Sequence, residues 1–253
     1  MSQSAKAGRF AALHIPGDPL VLTNIWDAGS ALAVAGAGAQ AIATGSWSVA
    51  AAQGYPDGEQ LPLDLLLQIA ARIVAVTELP VSIDFEGGYA TTPGALRETV
   101  RRLLDTGAVG INFEDQIVGG EGLHGIDAQA ERIAAIRQTA QDVEVELFIN
   151  ARTDLFLKEK DASLHARLVD QAIERGNRYA AAGASGFFVP GLADPDLIAR
   201  ICKEVALPVN VMRLGAAPSR GELGKLGVAR ISAGPAPYRE MIAGLAARAA
   251  ELA

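Results

Sequence analysis

The chain has one cysteine, Cys202, in 253 residues. That excludes an intramolecular disulfide and any thiolate metal cluster, and it fits a reducing, cytoplasmic setting. No run of Lys and Arg is present, and 22 basic residues against 29 acidic ones give a formal net charge of −7. A surface that tracks nucleic-acid phosphates needs the opposite balance, so no nucleic-acid partner is expected. No apolar stretch is long enough, free of glycine, to span a bilayer, and no basic segment followed by an apolar run opens the chain. Neither a membrane partner nor a targeting signal is therefore expected. Gly87-Gly88 is not followed by the further glycine and helix that bind a dinucleotide. No linker or low-complexity segment divides the sequence, so residues 1–253 are expected to form one domain.

What is present is a regular alternation. Half of the residues are hydrophobic, enough for a substantial core, and β-rich runs alternate with helical patterns throughout. After a short leading helix over Ala7 to His14, the strands are expected at Leu20–Asn24, Gln40–Thr44, Val81–Glu86, Val109–Asp115, Leu147–Arg152, Gly186–Pro190, Leu207–Val211 and Val228–Ser232. Helices are expected between them, with Thr92-Pro93, Asp127, Ser163, Asp194-Pro195 and the Ser219/Glu222 capping box as starts, and with a last helix from Pro237 to the end. Gly45-Ser46-Trp47-Ser48 reads as the beginning of a loop that runs on to Gly54-Tyr55-Pro56-Asp57. Eight β-then-α units in a chain of this length predict a (β/α)8 TIM-type barrel, an α/β fold.

Three consecutive strands end in charge. Val81-Ser82-Ile83-Asp84-Phe85-Glu86 places Asp84 and Glu86 on one face, Ile111-Asn112-Phe113-Glu114-Asp115 repeats the pattern a helix later, and Ile149-Asn150-Ala151-Arg152 ends in a cation. Each acid taken alone could simply cap the next helix. Taken together, carboxylates converging on an apolar barrel mouth repel one another unless protons or a cation intervene, and hard oxygen ligands favour Mg²⁺ or Mn²⁺.

These stretches resemble the isocitrate lyase/phosphoenolpyruvate mutase superfamily. The resemblance rests on Gly54-Tyr55-Pro56-Asp57, Asp84-Phe85-Glu86-Gly87-Gly88-Tyr89, Ile111-Asn112-Phe113-Glu114-Asp115 and Ala151-Arg152-Thr153-Asp154, in order over the first two-thirds of the chain. It implies a Mg²⁺ site in which Asp84 ligates directly while Glu86, Glu114 and Asp57 act mostly through water. It also implies that Arg152 grips a substrate carboxylate through its bidentate fork. Backbone N–H groups near Gly45, Ser46 and Trp47 would hold the other end of that anion. The superfamily further implies a homo-oligomer, a tetramer or a dimer. The Ala/Leu-rich tail Met241 to Ala253, apolar around most of its circumference, favours burial against a neighbouring subunit.

The departures matter as much. The lyases of this superfamily carry a Lys-Lys/Arg-Cys-Gly-His loop whose Cys is their acid/base, but here the loop reads Gly119-Gly120-Glu121-Gly122-Leu123-His124-Gly125. His124, on a Gly-rich segment expected to be mobile, is a candidate for the missing group, with Asp57 or a metal-bound water as the alternative proton source. Asn210 and Ser232, at the ends of late strands, are expected to line the mouth, whereas His14 and His165 are expected to be structural. The function this predicts is C–C cleavage or decarboxylation of a small 2-oxo dicarboxylate, such as oxaloacetate or 2-oxoglutarate, through a metal-stabilised enolate. The competing reading is a 2-oxo acid sensor that keeps the pocket without the chemistry.

Overall fold

The computed structural model describes residues 1–213 and 218–252. Its elements, in order, are α1 (Gln3–Ala12), β1 (Leu20–Leu22), β2 (Asn24–Ile25), α2 (Ala28–Gly36), β3 (Ile42–Thr44), α3 (Ser46–Ala52), α4 (Leu63–Ala75), β4 (Val81–Asp84), α5 (Pro93–Leu104), β5 (Gly110–Glu114), α6 (Ile126–Asp142), β6 (Phe148–Arg152), α7 (Leu155–Lys158), a 3-10 turn (Ala162–Arg167), α8 (Val169–Ala181), β7 (Gly186–Phe188), α9 (Pro195–Glu204), β8 (Val209–Met212), α10 (Arg220–Lys225), β9 (Arg230–Ser232) and α11 (Ala236–Glu251). All strand pairings are parallel, in the order β1-β9-β8-β7-β6-β5-β4-β3-β2. β1 and β2 are parts of one chain segment broken at Thr23, so the sheet returns on itself as a TIM-type barrel. The predicted eight strands are thus nine, because the first divides and pairs with a different neighbour on each side of the break. The Asn24 side chain fastens that seam, donating to Thr44 O (2.8 Å) and accepting from Gly234 N (2.9 Å).

The helix starts follow the local chemistry where a side chain can accept from the first turn. Thr92, Asp194 and the Ser219/Glu222 box cap as their sequences predict. Two expectations shift. Asp127 is not a cap, because α6 begins at Ile126 after Gly125 and Asp127 pairs instead with Arg178. The long helix expected from Ser163 is interrupted. Asp161 accepts from Ser163 N and starts a 3-10 turn, and α8 begins only at Val169.

Alternation along the strands separates two environments. Ile83, Ile111 and Ile149 lie in register across β4, β5 and β6 and are at most 1% exposed, forming part of the apolar layer under the helices. Their strand neighbours Asn112 and Asn150 bond each other at 2.8 Å, and Arg230 of β9 donates to Asn112 Oδ1 at 3.2 Å across the barrel. The interior is therefore polar beneath the strand ends. Burial pushes the pKa of the Arg230 guanidinium down to about 9 against the pull of Asp84.

The opposite end of the barrel is covered by α1 and the residues that follow it. His14 stacks on Phe148 with centroids 3.9 Å apart, and its Nδ1 lies 2.8 Å from Phe10 O. Burial pushes the His14 pKa down to about 3, with the charge on Arg230 adding to the effect. A histidine whose folded-state pKa lies below its unfolded value contributes stability that is present above roughly pH 6.5 and is lost as the pH falls toward that lower value. Thermal unfolding of His14→Phe is accordingly expected to lose less Tm than wild type between neutral pH and pH 4. Parallel losses in the two proteins would show that another group drives the acid limb.

Candidate active site

The C-terminal ends of the strands surround a cavity of about 180 Å³. Of the residues expected there, Gly45, Ser46, Trp47, Asp57, Asp84 and Arg152 line it, as does Ser232. β4 delivers Asp84 and β6 delivers Arg152 from the last positions of their strands. Gly45, Ser46 and Trp47 belong to the junction of β3 with α3, a helix where the sequence suggested a loop. The Ser46 N–H donates to Asp84 Oδ2 at 3.1 Å, so the first turn of α3 directly holds the strand-end carboxylate. Asp84 Oδ1 is buried and has no hydrogen-bond partner among the described residues.

Glu86 and Glu114 stand behind the lining. At φ 48° Glu86 turns its carboxylate toward the Asp57 loop, where Oε2 accepts from Glu59 N at 2.9 Å. Glu59 returns the contact by accepting from Tyr89 N at 2.7 Å. The two acids thus clasp the loop to the strand end, and the extra methylene of a glutamate gives the reach. Glu114 lies 2.9 Å from an Arg152 nitrogen, while Asp154 takes Arg152 Nε at 2.5 Å and a second nitrogen at 3.0 Å. The Arg152 fork is therefore already bound to two protein carboxylates.

Charge in this enclosure sets the titration. Burial pushes Glu86 up to about 8, with Asp57 and Asp84 adding to it. Burial and then Asp84 raise Asp57, which Arg152 opposes. Burial also raises Glu114 well above the carboxylate range, opposed by Arg152 and reinforced by Asp154, Asp84 and Glu86. For Arg152 burial favours the neutral form, but Glu114, Asp154 and Asp84 outweigh it and hold the guanidinium charged. Acids crowded in this way cannot all ionise on their own.

That donor set fits a hard divalent cation. Its oxygens are anionic, and the buried Asp84 Oδ1 at the cavity wall lacks a partner. Among the described residues no three His, Cys, Asp or Glu side chains are placed to enclose one ion between them. Mg²⁺ does not need such a cage, since it usually keeps several waters and one or two carboxylates.

Two expected residues are not at the cavity. Asn210 is buried beneath it, hydrogen-bonded to Ser232 at 3.2 Å, because β8 directs that side chain into the barrel interior. His124 is held at the root of its loop, its N–H donating to Asp115 O at 2.8 Å and its carbonyl accepting from Arg175 at 3.0 Å. The loop is a closed excursion pinned by a Gln116–Leu123 bridge and an Ile117 N–H to Gly122 O bond, not an unanchored strap. Burial, Arg132 and Arg175 all lower the His124 pKa.

Several participants escaped the sequence reading. Asn24, Asn112 and Arg239 line the cavity. Asp115 accepts from Asp154 N at 3.0 Å and from Arg175 and Tyr179 at 2.9 and 3.0 Å. That knot positions Asp154, and through it Arg152. Only Asp115 carried a signal, as the second acid after Glu114; Arg175, Tyr179 and Arg239 sit on helices whose patterns look ordinary.

A parallel β/α barrel with an acid-rich cavity and a captive arginine at its C-terminal rim defines a class of enzyme that handles small anions. The phosphoenolpyruvate phosphomutase family model matches residues 10–253, and the chain belongs to this family, an enzyme of the phosphoenolpyruvate mutase/isocitrate lyase superfamily. It superposes on a Burkholderia cenocepacia J2315 crystal structure, provisionally described as a phosphonomutase, with a TM-score of 0.96, at 47% identity over 100% of both chains. It is 29% identical to the 2-methylisocitrate lyase of Escherichia coli K12 over 226 residues, 86% of this chain and 74% of that one. It is also 30% identical to the oxaloacetate decarboxylase of Pseudomonas savastanoi pv. phaseolicola over 164 residues, 63% of this chain and 53% of that one.

Proposed function

We propose that the protein binds a divalent cation, Mg²⁺ or Mn²⁺, and cleaves or decarboxylates a small 2-oxo dicarboxylic acid of the oxaloacetate or 2-oxoglutarate type. The observation that carries this is the unpartnered Asp84 Oδ1 at the wall of a cavity shared with Asp57 and Arg152. The names of the lyase and decarboxylase relatives agree with it.

Asp84 would hold the cation directly, with Glu86, Glu114 and Asp57 acting through water. Bound there, it supplies Lewis-acid polarisation of the 2-oxo group. The residues of the chain do the rest. Ser46 N–H keeps Asp84 oriented. Arg152 contributes fixed positive charge from its place between Glu114 and Asp154. When the C3–C4 bond of an oxaloacetate-type acid breaks, C4 leaves as CO₂, the bonding pair forms the C2–C3 double bond as the carbonyl pair moves to the 2-oxo oxygen, and C3 then needs a proton. Asp57, in the lining with its pKa raised by desolvation and by Asp84, is placed to deliver it. Leu157, Phe188 and Pro190 give an apolar wall that keeps water from the reacting carbon.

The test is a panel of 2-oxo acids, 2-hydroxy dicarboxylates and phosphonopyruvate with Mg²⁺, read by calorimetry and by release of pyruvate, glyoxylate, CO₂ or phosphate. Metal-dependent binding with C–C cleavage supports the proposal. Binding unchanged by excess chelator, or phosphate as the only product, would overturn it.

We also propose a homo-oligomer. Met241, Ile242 and Leu245 of α11 are 40 to 62% exposed, and of the helix only Tyr238 is buried. Light scattering at micromolar concentration should give a dimer or larger, and a monomer there would refute this.

A further inference from the structure

The deep end of the cavity has an imbalance. Asp57, Asp84, Glu114 and Asp154 gather around one cavity-lining cation, Arg152, whose donors are directed at Glu114 and Asp154, while Arg230 near Asp84 is fully buried and outside the lining. A metal ion can receive one acid group of a substrate here, but Arg152, the cation lining this end, is already paired with Glu114 and Asp154. The cavity has another cation. Arg239, in the first turn of α11, lines it on the side of Trp47 and Pro235.

Arg239 is held there by its neighbours. Tyr238, the one buried residue of α11, packs edge-on against Trp26 and Trp47 at 5.0 and 5.8 Å between centroids. Gly234 N, just before the helix, bonds Asn24 Oδ1 at 2.9 Å. With the helix start fixed in this way, the Arg239 guanidinium carbon lies 4.5 Å from the centre of the Trp47 ring. Ring stacking orients a guanidinium while leaving its in-plane N–H donors available. No acid of the described residues forms an ion pair with it, whereas the other cavity arginine has two. The cavity thus pairs an acid-rich, metal-suited end with an end that offers an oriented arginine fork, and Leu157, Phe188 and Met212 are apolar members of its wall.

We infer that Arg239 forms a second anion subsite that takes the distal carboxylate of the substrate, making the enzyme selective for doubly charged 2-oxo acids. This rests on the reading that the deep end binds the 2-oxo acid group with a metal ion. In the bound state Arg239 donates two N–H bonds to the distal carboxylate, and Trp47 serves as the platform that keeps the fork in plane.

The experiment compares acids of equal length with and without the distal charge. Wild type, Arg239→Met and Arg239→Lys are titrated by calorimetry with Mg²⁺ and 2-oxoglutarate or 2-oxopentanoate, and with oxaloacetate or 2-oxobutyrate. Wild type is expected to prefer at least one diacid over its mono-acid partner by roughly 10- to 100-fold, the range of a charge-assisted bidentate contact. Arg239→Met should reduce that preference to within about threefold while leaving mono-acid affinity unchanged, and Arg239→Lys should keep part of it. A preference that persists in Arg239→Met places the distal site elsewhere. Equal loss for both acids shows that Arg239 only supports Trp47. If wild type binds none of the four acids with Mg²⁺, the reading of the deep end fails, and this inference falls with it; the other two failures leave that reading intact.

Discussion

Asp84→Ala is expected to abolish metal-dependent binding of 2-oxo acids and to lower turnover by on the order of 10³-fold or more, the scale of losing the principal electrostatic stabiliser of a transition state. The other acids cannot compensate, because Glu86 is turned onto Glu59 N and Glu114 is paired with Arg152. The metal-free variant should nevertheless fold at least as well as wild type. Removing Asp84 takes a like charge away from Asp57, Glu86 and Glu114, each of which it pushes upward, against the loss of the Ser46 N–H bond and of its attraction for Arg152 and Arg230. Calorimetry with and without chelator, together with thermal unfolding, separates the two effects. Retained Mg²⁺-dependent binding would remove Asp84 from the metal site. A collapse of Tm in the absence of metal would mean that the residue is structural instead.

Arg152→Met is expected to have a comparably large effect of a different kind. Glu114 and Asp154, with side chains only 4% and 2% exposed, lose the cation between them, and breaking a buried pair from one side costs about 3–5 kcal/mol. Burial already holds the Glu114 carboxyl well above the carboxylate range, and losing Arg152, which opposes that, pushes it further up. For an acid shifted in that direction the native state binds more protons, and stability falls as the pH rises. The destabilisation should therefore be smaller near pH 5.5 than near pH 8, where denaturant titrations can compare it directly. A cost below about 1 kcal/mol at both pH values, in the range of exposed pairs, would show that the triad does not hold the strand ends together.

The structure divides the expected site in a way the motifs could not. Asp84, Arg152 and the Gly45–Trp47 segment come together because each lies at or just beyond a strand end, a position that sequence alternation reveals, while Asp57 joins them from the loop after α3. Asn210 is expected at a strand end and still lies beneath the cavity, because β8 runs on to Met212, and it is Met212 and its β9 neighbour Ser232 that reach the lining. His124 stands out in the sequence as the one histidine of the Gly-rich loop. Its backbone bonds to Asp115 and Arg175 depend on contacts with β5 and α8, which loop composition does not encode.

By itself the sequence determined the β/α alternation, the strand ends that carry charge, the caps at Thr92, Asp194 and Ser219, and the acid excess that calls for a cation. These are local matters of periodicity and side-chain type, settled within a few residues. The tertiary structure alone decided that the first strand splits at Thr23 to close the barrel, that Glu86 clasps the Asp57 loop, and that Arg152 is bound by Glu114 and Asp154. It also brought Arg239 to Trp47 across nearly the whole length of the chain. Such pairings depend on barrel closure, which makes neighbours of residues far apart in sequence and which no local pattern records.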